Sequence, residues 1–235
     1  LAVLNGLFGD HLARTDNGLA IEMGCYADGE RVAVRREEIA RAYPNATPHV
    51  AVLVHGVMST EAVWKFADGS DYGSKLAADF GITPFYLRYN SGLPIADNGA
   101  ALALFLDRLV QAYPVKPEQV LLLGYSMGGL VVRSACHMAS ERELAWLSLV
   151  RNAFYVGTPH LGTTAERMGR MVAKLLKAIP DPYTQLIGQI GDLRSAGVKD
   201  LGDADRRHQD REASAKRLSL RDPTHPVPLL PQIQH

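Results

Sequence analysis

Strand-like apolar runs alternate with helical stripes over the first two thirds of the chain. The runs are 48–56, 83–88, 119–123 and 152–156. Helices are predicted at 74–80, along the apolar positions between 102 and 110, at 127–138, and ending at 146–149. Because strands separated by helices form βαβ units, this alternation predicts an α/β fold with a mostly parallel central sheet and flanking helices.

The two ends of the chain have a different pattern. At the N-terminus, a helix near residues 4–12 precedes short strands at 21–25 and 31–34. After residue 160, apolar positions form helical stripes, and the last part is charged and rich in proline. We therefore predict three parts, which are a core with an N-terminal extension at 1–163, a helical cap-like segment at 164–201 and a charged, Pro-rich C-terminal segment at 202–235.

Composition excludes several classes of protein. The 235 residues are 47% hydrophobic and 21% charged, which suits a folded domain. The 25 Lys and Arg residues balance 25 Asp and Glu residues, which argues against nucleic acid bound by phosphate neutralisation. Cys25 and Cys136 allow neither a disulfide framework nor a four-cysteine zinc module, and H-E-x-x-H is absent. We therefore expect no metal and no cofactor.

The sequence carries little information about location. No run reaches the roughly 18 apolar residues of a membrane span, and no signal peptide opens the chain. These features favour the cytoplasm. Because the chain opens on Leu1 rather than Met, the location stays open.

The segment GYSMGG at residues 124–129 carries the clearest chemical signal. It matches G-x-S-x-G and lies between a predicted strand and a predicted helix. Glycines permit the sharp turn that presents a serine at the sheet edge, and the helix start directs N–H groups toward a developing oxyanion. A phosphate-binding loop is the nearest alternative, but neither Gly-Lys-Ser/Thr nor G-x-G-x-x-G spacing occurs. Ser126 is therefore the predicted nucleophile.

A second loop supports this interpretation. His55 and Gly56 end the first central strand, about two βα units before Ser126, so both strand ends lie on one side of the sheet. An oxyanion hole needs two backbone N–H donors, and the predicted donors are Val57 and Met127. His55 is interpreted as a structural loop residue rather than as a base.

The motifs HGVMST, GYSMGG and VGTPHLGT follow one another in this order, and they resemble the lipase/esterase branch of the α/β-hydrolase superfamily. The segment RSAGVKDL at 194–201 is similar to part of the bacterial serine esterases that resemble GPI-inositol deacylases. Tyr125 stands where these families more often have His. The resemblance implies ester hydrolysis through an acyl-enzyme on Ser126. Apolar residues and neutral net charge favour a small-molecule ester or lipid-like substrate.

The resemblance also implies a helical cap over the acyl pocket. The stripe at 168–179 fits such a cap and fits an ordinary core-packing helix equally well. The basic face of 164–179 could give peripheral contact with anionic lipid, with a solvated polar face as the alternative.

The sequence gives the least evidence for the acid and the base of a catalytic triad. In this fold the order along the chain is Ser, then Asp or Glu, then His. The resemblance places the acid in a Gly-Asp-Gly-like turn and the base in an Asn-His-like loop, and neither motif occurs. His225 as base and Asp222 as acid are the remaining candidates, although no predicted strand delivers them.

We therefore expect the chain to lack the C-terminal strands that bear the acid and the histidine. A catalytically silent α/β-hydrolase-fold protein that binds a hydrophobic ligand remains the alternative to a serine esterase.

Overall fold

A six-stranded sheet runs through residues 1–159, the part of the chain that the computed structural model describes. Its strands are β1 (Gly24–Ala27), β2 (Glu30–Val32), β3 (His49–Val54), β4 (Thr83–Arg88), β5 (Gln119–Tyr125) and β6 (Val150–Val156). Across the sheet their order is β2-β1-β4-β3-β5-β6. β3, β4, β5 and β6 are parallel to one another, and β1 is antiparallel to β2 and β4. The predicted mostly parallel α/β sheet is confirmed.

Five α-helices accompany the strands in this part of the chain. They are α1 (Ala2–Arg14), α2 (Arg36–Ala42), α3 (Tyr72–Phe80), α4 (Ile95–Ala112) and α5 (Met127–Glu141). All but α2 were expected from the sequence. Two short 3₁₀ helices lie at Glu61–Trp64 and Ala145–Leu149. The further helix predicted to end at 146–149 is a short 3₁₀ helix of five residues that closely follows α5.

Alternate residues of β3 and β5 face two separate hydrophobic layers, as the period of a strand requires. On one side, Val52 and Leu122 pack in the core that also contains the buried stripe of α4. On the other side, Leu53 and Leu123 pack with Trp64. Both central strands are therefore covered on both faces, which explains their continuous apolar sequences.

The chain crosses from one side of β3 to the other between β4 and β5, because β4 and β5 lie on opposite flanks of β3. In open α/β sheets, such a switch point leaves a crevice at the carboxyl ends of the strands. Val54 lies opposite Gly124, and Tyr125 lies opposite Val156, so β3, β5 and β6 end at nearly the same level. The segments that follow these strands therefore meet at one edge of the sheet.

Helix α3, which lies between this edge of the sheet and the opposite edge, is capped at both ends. Asp71 precedes α3; its carboxylate accepts hydrogen bonds from the Ser74 N–H at 2.9 Å and the Ser74 hydroxyl at 2.7 Å, and it also accepts one from the Tyr86 hydroxyl. At the other end, Gly81 closes the helix with a left-handed φ of 63°.

Loss of this cap gives a simple stability prediction. Asp71→Ala is expected to lower the free energy of unfolding by about 1–2 kcal/mol, because it leaves the Ser74 N–H and the Ser74 and Tyr86 hydroxyls without this acceptor. Asp71→Ser keeps an acceptor and should lose less. Urea unfolding of the three proteins measures the effect, and equal midpoints for Asp71→Ala and wild type would contradict it.

Two sequence predictions fall on residues that the structure does not describe. They are the cap-like segment 164–201 and the C-terminal segment 202–235, and both stay predictions. None of the helices in residues 1–159 combines the length and the apolarity needed to cross a bilayer.

Candidate active site

Ser126 occupies a strained turn between β5 and α5. Its backbone has φ 52° and ψ −121°, a sparsely populated conformation for a residue with a side chain. Two hydrogen bonds hold the turn: the Ser126 N–H donates to the Val156 carbonyl at 2.8 Å, and the Ser126 carbonyl accepts from the Gly129 N–H at 3.1 Å. Such strain persists only where the surroundings hold it, and it concentrates at functional sites.

Two glycines allow this turn to form against the sheet. A Cβ atom on Gly124 would lie 2.4 Å from the Gly129 Cα, and one on Gly128 would lie 2.2 Å from the Val54 carbonyl oxygen. Both contacts are with main-chain atoms, which have little freedom to move away. The first turn of α5 therefore lies directly on the carboxyl ends of β3 and β5, as the G-x-S-x-G pattern predicts.

The loop after β3 lies beside this turn. A Cβ atom on Gly56 would be 3.1 Å from the Ser126 Cβ and 3.2 Å from the Tyr125 carbonyl oxygen, which is a tight contact, so a glycine favours this close approach of the loop. Met58, two residues later, has a left-handed φ of 55°. The loop therefore changes direction next to the serine.

Four backbone N–H groups at this edge of the sheet differ in whether they donate a hydrogen bond. The N–H of Ser126 and the N–H of Met58 are used, since they donate to the Val156 carbonyl and to the Ser91 Oγ. The N–H groups of Val57 and Met127 make no hydrogen bond within residues 1–159. Both residues are buried. Buried N–H groups almost always find an acceptor, so this pair is suited to a bound oxygen atom.

Hydrogen bonds and ring stacking hold the His55 side chain in a fixed position beside the loop that follows β3. Its Nδ1–H donates to the Gly56 carbonyl at 2.8 Å, and its Nε2 accepts from the Tyr89 N–H at 3.3 Å, which fixes the neutral Nδ1–H tautomer. The ring stacks on Tyr89 with centroids 4.4 Å apart. Complete burial lowers the pKa of His55 to about 4. Both nitrogens are occupied, which agrees with a structural role and leaves none to act as a base.

The end of β6 completes the edge. Gly157 has a left-handed φ of 61°, and the Thr158 side chain lies over α5, where a Cβ on Gly129 would be 2.1 Å from the Thr158 Oγ1. The Thr158 Oγ1 is buried and has no hydrogen-bond partner in the described part of the chain. A polar group is therefore held directly behind the first turn of α5.

The family model described as putative serine esterase (DUF676) matches residues 44–192, which is more than half of the chain. The match includes β3, β4, β5 and β6 and all three segments that surround Ser126. The chain belongs to this serine esterase family. Its fold is that of an α/β-hydrolase-like serine esterase, and the family indicates a hydrolase of small-molecule esters. A search of curated proteins gave no match.

In this serine esterase, the three predicted residues Ser126, Val57 and Met127 all lie at the edge formed by β3 and β5. The candidates His225 and Asp222 lie outside the described residues, and their roles stay predictions. Within residues 1–159, the Ser126 hydroxyl makes no hydrogen bond to a side chain.

The other histidines of the described part lie in settings unrelated to Ser126. His11 is exposed on α1, His49 begins β3 at the opposite edge, and His137 pairs with Glu141 at 3.3 Å on the surface of α5. No group of three or more metal-ligating side chains occurs among the described residues. Cys25 and Cys136 are both free thiols, and burial raises their pKa to about 11.

The sequence analysis missed the residues that hold the β3 loop. Tyr89 and Ser91 directly follow β4, and both are buried. A signal for them exists in the sequence, because the polar run Tyr89-Asn90-Ser91-Gly92 follows a predicted strand at the same edge as the serine. Polar residues placed there in a parallel sheet are candidates for a role in the site.

Proposed function

We propose that this serine esterase hydrolyses carboxylic esters through an acyl-enzyme on Ser126, with the Val57 and Met127 N–H groups binding the oxyanion. One observation carries the proposal. The strained Ser126 turn lies beside the buried Val57 and Met127 N–H groups, which have no acceptor within residues 1–159, while the Ser126 and Met58 N–H groups are used. A serine held in such a turn beside two such donors is what acyl transfer requires.

The chemical steps follow from this arrangement. The Ser126 Oγ attacks the ester carbonyl carbon, its proton passes to a general base, and the carbonyl oxygen becomes an oxyanion held by the two N–H groups. The bond to the alcohol oxygen then breaks as that oxygen takes the proton. Water attacks the acyl-enzyme in the same way and releases the carboxylic acid. His225 as the base and Asp222 as its partner remain predictions from the sequence.

The N-terminus of α5 also favours negative charge on the bound carbonyl oxygen. Met127 is the first residue of α5, where the helix dipole presents partial positive charge. Removing a single oxyanion donor in a serine hydrolase costs about 10²- to 10³-fold in rate. We therefore expect most of the rate enhancement that residues 1–159 supply to come from these two N–H groups and from Ser126.

A fluorophosphonate probe tests the proposal, because it forms a covalent bond only with an activated serine. We expect rapid labelling of the wild-type chain and complete loss of both labelling and p-nitrophenyl ester hydrolysis in Ser126→Ala. Ser140→Ala is the matched control, because Ser140 is exposed on the same helix and should leave both signals unchanged.

Two results would overturn the proposal. Labelling that persists in folded Ser126→Ala would place the reactive serine elsewhere. A folded wild-type chain that is neither labelled nor active would favour the alternative, in which the fold binds a hydrophobic ligand without catalysis. Circular dichroism of each variant establishes that the protein is folded.

A further inference from the structure

We propose that Ser91 is a positioning residue that holds the Val57 N–H in place for the oxyanion, together with Tyr89 and the N-terminal helix α1. This inference rests on the proposed function. The loop that follows β3 provides the donor, and the loop that follows β4 would fix its geometry without touching the substrate.

Three hydrogen bonds join the two loops. The Met58 N–H donates to the Ser91 Oγ at 3.0 Å, the Tyr89 hydroxyl donates to the His55 carbonyl at 2.8 Å, and the Tyr89 N–H donates to the His55 Nε2 at 3.3 Å. All four residues are buried. Buried hydrogen bonds of this kind are costly to lose, because the donor left behind has no water to replace its partner. The three bonds therefore fix the path of the chain on both sides of Val57.

The bond to Ser91 matters most because of the conformation of Met58. A residue with a side chain adopts a φ of 55° only where its surroundings hold it there. The Met58 N–H belongs to the peptide that directly follows Val57. When Ser91 no longer accepts this N–H, Met58 can relax to a more common φ, and the peptides on either side of Val57 rotate with it.

Ser91 is itself held by its neighbour Asn90. The Asn90 Nδ2 donates to the Gly9 carbonyl of α1 at 2.9 Å, and its Oδ1 accepts from the Gly92 N–H at 3.0 Å. The Asn90 carbonyl accepts from the Asn98 Nδ2 of α4 at 3.0 Å. Because Asn90 is tied to two helices and to its own loop, Ser91 has a fixed position from which to hold Met58.

Helix α1 supports the same two loops by close packing. A Cβ atom on Gly6 would lie 2.3 Å from the Met58 Cγ, and one on Gly92 would lie 2.0 Å from the Asn5 carbonyl oxygen. The absence of these Cβ atoms lets α1 lie directly against both loops. This helix, at Ala2–Arg14, precedes the span 44–192 that the family model matches. The support is therefore built partly from residues outside that span.

Ser91→Ala tests the proposal, with Ser91→Thr as the conservative variant that keeps the hydroxyl. For Ser91→Ala we expect kcat for p-nitrophenyl ester hydrolysis to fall about 10- to 100-fold, because a misplacement of about 1 Å costs up to that factor. KM should stay within about twofold, since ground-state binding does not need the oxyanion donor. The affinity for a trifluoromethyl ketone, which forms a tetrahedral adduct, should fall by the same factor as kcat. Ser91→Thr should restore both.

Thr83→Val is the matched structural control. Thr83 is also buried, and its Oγ1 also accepts a main-chain N–H, that of Thr47 at 2.9 Å, but it lies at the opposite edge of the sheet. Thr83→Val should lower stability without changing kcat or the affinity for the ketone. Urea unfolding of both variants separates loss of stability from loss of positioning.

The outcomes separate this inference from the proposed function. Wild-type kcat and ketone affinity in Ser91→Ala, while Ser126→Ala is inactive, would overturn the role of Ser91 alone. An equal loss of ketone affinity in Thr83→Val would show that the effect is general destabilisation and would also overturn it. If Ser91→Ala does not fold, Ser91→Cys keeps the side-chain size with a weaker acceptor. Wild-type kcat and ketone affinity in that variant would overturn the inference too.

Discussion

Gly128→Ala is expected to destabilise the protein by about 3 kcal/mol, although the same change in an ordinary helix stabilises it by up to about 1 kcal/mol. The added Cβ would lie 2.2 Å from the Val54 carbonyl oxygen and 2.4 Å from the His55 carbonyl oxygen. The first atom belongs to the last residue of β3, which is paired on both sides, and the second accepts the Tyr89 hydroxyl, so neither can move without disturbing these contacts. We expect α5 to shift outward and fluorophosphonate labelling of Ser126 to be lost.

The next residue provides a control for this prediction. Gly129→Ala brings the same gain in helix propensity, but its Cβ would meet the Thr158 side chain instead of the main chain. Shortening that side chain should therefore relieve the clash. We expect Thr158→Ala to recover stability in the Gly129→Ala background and to give no recovery with Gly128→Ala. Urea unfolding midpoints of the four variants measure both effects, and a Gly128→Ala protein as stable as wild type would contradict the prediction.

Acid is expected to destabilise the protein between about pH 6.5 and pH 4, because His55 is buried and neutral. An unfolded histidine binds a proton near pH 6.5, whereas burial lowers the pKa of His55 in the folded chain to about 4. Within this window the unfolded state binds more protons, so the free energy of unfolding falls as the pH falls. This difference in the pKa of His55 corresponds to about 3 kcal/mol of unfolding free energy. The protein has this contribution above pH 6.5 and has lost it by pH 4.

Two measurements check this prediction. The free energy of unfolding, obtained in urea at several pH values, should fall with a slope of about one proton between pH 6 and pH 5. In parallel, the nitrogen chemical shifts of the His55 ring should keep the neutral Nδ1–H pattern at pH 5, where free imidazole is protonated. Protonation of His55 near pH 6.5 in the folded chain would contradict the prediction. Burial disfavours the charged form of Glu61, but the hydrogen bond and charge of Arg88 outweigh burial and lower the pKa of Glu61, so this carboxyl group adds its own loss of stability only at the acid end of the window.

The parts of the fold that could be predicted are those with local patterns. The central strands have continuous apolar sequences because both faces are covered, and α4 shows its buried stripe at Leu102, Phe105, Leu106 and Leu109. The turn at Ser126 was visible because its glycines stand at fixed offsets around the serine, although the contact that requires Gly128 is with Val54 of another strand.

The missed parts depend on contacts that leave no local pattern. Helix α2 buries only Ile39, so its charged sequence has no apolar stripe to detect. The bond from the Met58 N–H to Ser91 joins residues 33 positions apart, and neither sequence segment indicates the other. Likewise, the structural role of His55 was predicted from the sequence, but its contacts with Tyr89, which follows the next strand of the sheet, were not.

The contact between Asn90 and Gly9 also bears on the order in which the parts of the molecule fold. It joins residues 81 positions apart, and closing a loop of that length costs about 4 kcal/mol of chain entropy. Contacts of such separation form late in folding, after the local ones have made them favourable. During synthesis, α1 leaves the ribosome long before Asn90 does, so its final partner is not yet present. We therefore expect docking of α1 on the loop after β4 to be a late step, and the loops beside Ser126 to become fixed only then.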